Sequence, residues 1–594
     1  MGVGKVSSLV EVQQRACARY SGNRLFGTKR SGRYQWNTYR EFGDLVDGLR
    51  GGLASLGVGA GDRVALIADN RVEWAVTAYA TYGLAACVVP MYEKQAPSEW
   101  AYILRDAGVK VAVVATRTIA DKVRGLQQEV PSLEVVVPME GSVTEAGSFA
   151  HLVGVGKASP VAAVSPAPEV LAGFIYTSGT TGSPKGVLLT HGNLASNVNA
   201  MQEIFPMEEA DSSLSFLPWA HSFGQTCELH CMIANGASVG FAESVATIMP
   251  NLLEVRPTLL FSVPRIFNKI YDGLSKRMAK LGGVKQGLFE AGLANARARR
   301  ALAARGRSSW LLERKAAFFD KVVFSKVRES FGGRLKYAIC GGAALSREVA
   351  EFIDDLNIQV YEGYGLSETS PICTANAPGR RRIGSAGRAI PGVQVTIEPV
   401  EEVQDAGVGE IVIHGPNVMQ GYHGLPEETA KVLMADGGFR TGDLGRLDRD
   451  GYLWITGRVK EQYKLENGKY VVPSPLEELL KLSPFISQVL LYGANRPYNV
   501  ALIVPDAEAL GAWASSRQRP AELAKLVQDD AVRALFTEEI AQRSRDFKAY
   551  ERPRRFDFVL EEFSTENGML TPSMKVKRRV VIEAHRDKIE ALFG

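Results

Sequence analysis

The 594-residue chain is poor in several things, and each shortage removes a class of protein. Its six cysteines (Cys17, Cys87, Cys227, Cys231, Cys340 and Cys373) are few and scattered, which excludes a disulfide framework and points to a reducing compartment. No uninterrupted apolar run approaches the ~18–20 residues of a membrane-spanning helix. Met1 to Arg15 lacks the charged-then-apolar order of a secretory signal. Met1-Gly2-Val3-Gly4-Lys5-Val6 fails as a myristoylation site, because Val6 stands where Ser or Thr is needed. A cytoplasmic location is expected. Charge of one sign is also scarce: 69 Lys+Arg against 65 Asp+Glu leaves +4, whereas a nucleic-acid binder concentrates far more positive charge. No nucleic-acid partner is expected. Internal repeats, long low-complexity segments and a Gly-x-Ser-x-Gly nucleophile elbow are absent.

What is present suits a large globular enzyme. At about 150 residues per domain the length suggests about four domain-sized units, and 46% hydrophobic with 23% charged residues is ordinary for such a chain. Short β-rich runs at Arg63–Ala68, Val109–Ala115, Gly173–Thr177, Leu259–Val263, Leu335–Cys340 and Ile358–Tyr361 are each followed by a glycine-rich turn or a helical pattern. That alternation predicts α/β layers with largely parallel sheets. Val153–Pro168, rich in Ala, Ser and Pro, reads as a linker. Beyond about Ile383 the strands shorten, at Gln394–Glu398, Glu410–His414 and Tyr452–Ile455, and a boundary near Lys460 divides the chain into 1–459 and 460–594. From Arg297 to Arg328 ten basic residues face two acidic ones, Glu313 and Asp320, with Trp310, Leu311, Phe318, Phe319 and Phe324 among the interleaved apolar residues. A basic amphipathic helix can lie on an anionic membrane; the alternative is a solvated helical pair packed on its own domain, since aromatic faces are usually core.

The sharpest local signal is Tyr176-Thr177-Ser178-Gly179-Thr180-Thr181-Gly182-Ser183-Pro184-Lys185-Gly186. Glycines admit an anion close to the backbone, hydroxyls donate to phosphate oxygens, and the lysine adds a point charge. It is not a Walker loop, because Pro184 and Gly186 flank the lysine and Val187–Thr190 reads as a strand. Cys227, His230 and Cys231 follow no zinc spacing and read as helix packing.

This loop resembles the phosphate loop of the AMP-forming acyl-CoA synthetase, luciferase and peptide-synthetase adenylation superfamily, and further motifs follow in the family's order from roughly Leu53 to Arg579. Leu217-Pro218-Trp219-Ala220-His221-Ser222-Phe223-Gly224 is similar to the motif whose histidine, here His221, borders the acyl pocket. Gly341-Gly342-Ala343-Ala344-Leu345, with Ser346 as an N-cap, resembles the turn that lies against adenine. In Glu362-Gly363-Tyr364-Gly365-Leu366-Ser367-Glu368-Thr369 the resemblance assigns adenine stacking to Tyr364, Mg²⁺ to Glu368 together with Thr177, and the α-phosphate to Thr369. A carboxylate oxygen beside phosphates suits that hard cation. Thr441-Gly442-Asp443 resembles the ribose motif, and Gly457-Arg458-Val459-Lys460 the end of the large domain, with Arg458 reaching ribose and phosphate and Lys460 at the hinge. Leu465-Glu466-Asn467-Gly468-Lys469-Tyr470 resembles the loop that docks for thioester formation, around Gly468. Leu570-Thr571-Pro572-Ser573-Met574-Lys575 resembles the catalytic-lysine motif, with Met574 where the common pattern has Gly; Lys577 is the alternative lysine.

The resemblance implies a large N-terminal domain of layered sheets and helices with a distorted β-barrel subdomain, and a small mobile α+β C-terminal domain. It implies ATP, Mg²⁺ and coenzyme A as the reagents. A carboxylic acid would become acyl-AMP, with Lys185 and Lys575 serving the phosphates, and then acyl-CoA. Val263-Pro264-Arg265-Ile266-Phe267-Asn268-Lys269-Ile270-Tyr271 and the insertion after it resemble the long-chain branch, which makes a fatty acid the expected substrate. Medium-chain or aryl acids, a carrier-protein thiol as acceptor, and a catalytically dead membrane-associated scaffold stand as alternatives. Chain length, oligomeric state and pathway are not fixed by any motif.

Overall fold

The computed structural model describes residues 2–177, 183–401, 403, 405, 407–571 and 574–594. Two twisted sheets dominate. One runs Gly421–Tyr422, Lys185–Thr190, Leu171–Thr177, Cys87–Met91, Arg63–Ile67, Val111–Val114, Val135–Pro138 across its width. Its five strands from Leu171–Thr177 to Val135–Pro138 are parallel. The other, of nine strands, has a parallel centre: Arg24–Arg30, Ser238–Phe241, Ser212–Ser215, Leu259–Ser262, Tyr337–Cys340 and Gln359–Gly365. Its innermost strands, Ser212–Ser215, Leu259–Ser262 and Tyr337–Cys340, are buried throughout and consist of Ser, Leu, Ile, Ala, Cys and aromatic residues, as strands covered on both faces require. The core between the layers is rich in large side chains, with Trp74, Trp219, Phe26, Phe42 and Tyr79 fully or nearly buried.

Val153–Pro168 is not a linker throughout, as its composition suggested. Phe149–Ala158 is a helix, crossing the helix Tyr39–Ser55 at very short range. A Cβ on Gly156 would lie 1.8 Å from the Gly48 carbonyl oxygen. The small residues that read as linker composition are the ones that let two backbones meet, and only the stretch after Ala158 is extended.

Gln394–Glu398, Gly409–His414, Phe439–Leu447 and Leu453–Arg458 form an antiparallel four-stranded sheet. Among the described residues its edge strands do not pair with each other, so the barrel-like subdomain expected here is an open sheet. Its apolar residues pack around Cys373, Ile411, Ile413 and Leu453. The last part of the chain builds its own three-stranded sheet, Ile486–Tyr492, Asn499–Pro505 and Pro553–Phe558, with helices around it and two separate cores. Among the described residues no helix is long and apolar enough to cross a membrane.

The basic segment folds into the helices Gly283–Ala303 and Trp310–Phe319 and the turns that follow. Phe289, Leu293 and Phe324 are buried in its own domain. Trp310, Leu311 and Phe318 face outward, 70%, 54% and 54% exposed.

Candidate active site

The phosphate-type loop joins two antiparallel strands, in which Thr177 pairs with Lys185. Ser178, Gly179, Thr180, Thr181 and Gly182 lie outside the described residues. The Lys185 ammonium forms an ion pair with Glu428 and lies 4.9 Å from the centre of the Tyr422 ring. Lys185 and Lys431 together hold the Glu428 carboxyl down to about 2. The Tyr422 hydroxyl in turn donates to Glu368 Oε1 at 2.9 Å. The strand Lys185–Thr190 packs beside the turn Ser367–Thr369 that carries Glu368. Lysine, aromatic ring and carboxylate thus form one chain of contacts, although they lie far apart in sequence.

Glu362, Gly363, Tyr364 and Gly365 end the strand Gln359–Gly365. Gly365 has a clear reason to be glycine: a Cβ there would sit 1.6 Å from the Pro371 carbonyl oxygen. Glu362 accepts from the backbone N–H groups of Gly384 and Leu345, and burial pushes its carboxyl up to about 7. It therefore ties down the turn of Gly342, Ala343 and Ala344, whose residues are exposed and whose Gly342 has φ 84°. Ser346 caps the next helix by accepting from Val349 N at 3.2 Å. Thr369 is fully buried, and its hydroxyl donates to backbone carbonyls, with Pro371 O at 2.7 Å. It faces its own turn.

Asp443 is a junction. It pairs with Arg458 across two strands, receives the Arg458 Nε–H at 2.5 Å on one oxygen, and receives the Tyr364 hydroxyl at 2.7 Å on the other. Lys575, from the end of the chain, is exposed and lies close enough to Arg458, Asp443, Glu368 and Glu461 to feel their charges. Desolvation, with Arg458 next, lowers its pKa from the ordinary lysine range. His221 is half-buried and close enough to Lys575 to feel its charge, and desolvation is the larger cause that pulls its pKa down to about 4. Its Nδ1 accepts from Phe223 N at 3.2 Å, which leaves the proton on Nε2. The structure thus brings Glu368, Asp443, Arg458, His221 and Lys575 into one cluster, of which only Asp443 is fully buried.

Lys460 is exposed in the short turn Val459–Glu461, and Gly468, with φ 81°, closes the hairpin between Tyr463–Lys464 and Tyr470–Val471. Glu428, Tyr422 and Glu461 were not legible as site residues. No short-range pattern marks them, because each is recruited by a partner distant in sequence. Cys227 and His230 are buried, and His230 shares a 2.8 Å hydrogen bond with the Tyr79 hydroxyl.

The donor set suits Mg²⁺. Glu368 is half-buried with one oxygen taken by a tyrosine hydroxyl, and among the described residues the other oxygen accepts no hydrogen bond. Such an oxygen is what a hard divalent cation prefers.

The model of the AMP-binding enzyme family matches residues 13–423. The chain belongs to this family. The model of the AMP-binding enzyme C-terminal domain matches residues 460–594. A long-chain-fatty-acid–CoA ligase of Mycobacterium bovis, FadD15, is 34% identical over 91% of this chain and 90% of its own length. The peroxisomal long chain acyl-CoA synthetase 7 of Arabidopsis thaliana is 32% identical, covering 94% of this chain and 82% of its own. In fold, the adenylation domain of a carboxylate reductase from Mycobacterium chelonae superposes with a TM-score of 0.80 at 22% identity, covering 99% of this chain and 91% of that one. The ATP-bound MatB of Rhodopseudomonas palustris gives 0.71 at 21% identity, with 99% and 100% covered.

Proposed function

We infer that this AMP-binding enzyme is a long-chain fatty acid–CoA ligase. It activates a fatty acid with ATP and passes the acyl group to coenzyme A. A carboxylate oxygen is a poor leaving group until it becomes part of a mixed anhydride. In the first step it attacks the α-phosphorus; the new C–O–P linkage forms as the Pα–O bond to pyrophosphate breaks. In the second, the thiolate of coenzyme A attacks the acyl carbon, a thioester forms and AMP leaves. Such chemistry needs positioning and charge neutralisation more than a covalent nucleophile.

The observation that carries the reading is the convergence of Lys575 on Asp443, Arg458 and Glu368, with Asp443 bonded to both Arg458 and Tyr364. We assign Asp443 to the ribose hydroxyls, Tyr364 to the adenine, and Lys575 and Arg458 to the α-phosphate side. Lys185 and the loop Thr177–Lys185 take the outer phosphates, with Gly342, Ala343 and Ala344 against the base. Glu368, with Thr177, would hold Mg²⁺, which when bound neutralises charge on the departing pyrophosphate. His221, neutral with its proton on Nε2, can donate to the acid. Residues 1–459 form the adenylating domain and 460–594 a mobile domain hinged at Lys460, with the Gly468 hairpin serving the thioester step.

We also assign an anionic membrane surface as a peripheral partner. On the helix Trp310–Phe319 the apolar Trp310, Leu311 and Phe318 face outward beside the exposed Arg305, Arg307, Arg314, Lys315, Lys321 and Lys326. Arg299, Arg300 and Arg328 are instead drawn into ion pairs with Glu313, Asp355 and Asp320.

Fatty-acid-dependent ATP–pyrophosphate exchange, followed by acyl-CoA formation across a chain-length series, tests the reading. Exchange with palmitate but not benzoate is expected. Exchange only with aryl acids, or acyl transfer only to a carrier protein, would overturn it.

A further inference from the structure

Glu228 is a carboxylate in the core with no cationic partner among the described residues. It lies on the π-helix Phe223–His230, two turns after His221, and is 1% exposed. Three donors converge on it: the Ser213 hydroxyl at 3.0 Å on Oε1, and the Ser215 hydroxyl at 2.5 Å and the Trp219 indole N–H at 3.2 Å on Oε2. The direction of these bonds is fixed from outside. Asn70 Nδ2 donates to Ser215 Oγ at 2.8 Å, so that hydroxyl must point its own proton at Glu228. The same Asn70 grips the next stretch of chain, donating to the Leu217 carbonyl at 2.7 Å and accepting from the Trp219 N–H at 2.8 Å.

Burying a carboxylate without a cation costs several kcal/mol, and burial pushes this one up to about 7. An amide would fit the space but could not accept on both of its ends. The arrangement ends at the site. Trp219 lies two residues before His221, whose N–H donates to the Pro218 carbonyl, and Ser222 Oγ is 3.2 Å from Ser367 Oγ, the neighbour of Glu368.

We propose that Glu228 and Asn70 are positioning residues that clamp the Leu217–His221 turn from both sides, and so set His221 against the acid rather than against the nucleotide. The proposal rests on the reading of the chain as an acid-activating ligase. Glu228→Gln keeps shape and removes one acceptor. The expected result is a rise of about tenfold or more in KM for palmitate, with KM for ATP within twofold and the melting temperature at neutral pH within a few degrees of wild type. Ser215→Ala, a smaller lesion, should move the palmitate KM in the same direction by a few-fold. An unchanged palmitate KM in either folded variant, or a parallel rise in both KM values, would overturn the proposal. If the wild type does not activate fatty acids, the functional reading fails and the clamp is read from His221 itself. In ¹⁵N-histidine NMR spectra, the His221 Nδ1 signal should shift in Glu228→Gln; no shift would overturn the clamp.

Discussion

The Arg458 guanidinium lies close enough to the exposed Lys575 to add to desolvation in lowering the lysine's pKa. Two like charges near each other favour an anion between them, and in the function proposed above that anion is the α-phosphate side of ATP. Arg458 belongs to the open four-stranded sheet and Lys575 to the last part of the chain, so the pair exists only while the two parts are docked. Lys575→Ala should lose at least a hundredfold in acid-dependent pyrophosphate exchange. It should still convert supplied acyl-AMP and coenzyme A to thioester, as the proposed rotation about Lys460 between the two steps requires. Equal loss in both half-reactions would remove Lys575 from the adenylation step.

The docked pose carries a contact of its own. Glu348, on the helix Arg347–Asp355, accepts the Tyr271 hydroxyl at 2.7 Å and pairs with Arg543 at 3.4 Å from the last part of the chain. Both charges are partly solvated, so the pair contributes at most about 1 kcal/mol. Glu348→Gln should therefore slow exchange by no more than about fivefold, the factor that 1 kcal/mol represents, and leave the thioester half-reaction equal or faster. A slower thioester step would show that the pair does not favour the adenylating pose.

Met574 stands with φ 64°, in the left-handed region, immediately before Lys575. Its side chain is about half exposed, so packing offers it little in return. A non-glycine residue there costs roughly 1 kcal/mol. Met574→Gly should raise the melting temperature slightly and retain exchange, whereas Met574→Val should lower both. Loss of activity in Met574→Gly would show that the methionine side chain itself is used.

Gly468 also has a positive φ, so a bulky substitution strains the turn as well as filling space. Gly468→Asn, which tolerates the left-handed region, separates the two effects. If the hairpin serves coenzyme A transfer, both Gly468→Asn and Gly468→Leu should keep pyrophosphate exchange, and Gly468→Leu should lose most of the thioester step. Retained thioester formation in Gly468→Leu would exclude the hairpin.

Stability should depend on pH through Glu228. Its carboxyl ordinarily ionises near 4.5, and in the fold burial raises this to about 7. The folded state therefore binds the proton more tightly than the unfolded chain. The stability it contributes is full below pH 4.5 and is lost as pH rises through 7. At ~1.4 kcal/mol per unit the span is roughly 3 kcal/mol. Chemical unfolding at pH 5 and pH 7.5 should show a larger fall for wild type than for Glu228→Gln; identical slopes would reject the assignment.

Binding to the membrane surface can be separated from catalysis. Replacing Trp310, Leu311 and Phe318 by Ser should abolish sedimentation with vesicles containing phosphatidylserine, while exchange with a short, soluble acid stays unchanged. Charge reversal at Arg314 and Lys315 should weaken binding by about 1 kcal/mol per near-surface charge removed. Failure of the wild type to sediment would show the helix to be simply solvated.

The sequence by itself determined the layered α/β architecture and the residues whose chemistry acts close to their own backbone. Strand runs were legible because a strand covered on both faces must be apolar throughout. Lys185 was singled out by the glycines and hydroxyls around it, and Tyr364, Glu368, Asp443, Arg458 and Lys575 only through the resemblance of their motifs to those of a known family; the structure brings Glu368, Asp443, Arg458 and Lys575 near one another. The tertiary structure alone decided which groups meet. Glu428 reaches Lys185 from 243 residues away, and the three donors on Glu228 depend on how a helix settles against a strand. It also decided the helix at Phe149–Ala158, where glycines serve a close crossing that composition mistook for a linker. On the helix Trp310–Phe319, aromatic residues lie on more than one side, so periodicity could not tell the buried face from the exposed one. That choice is set by the shape of the neighbouring surface, which exists only once the chain has folded.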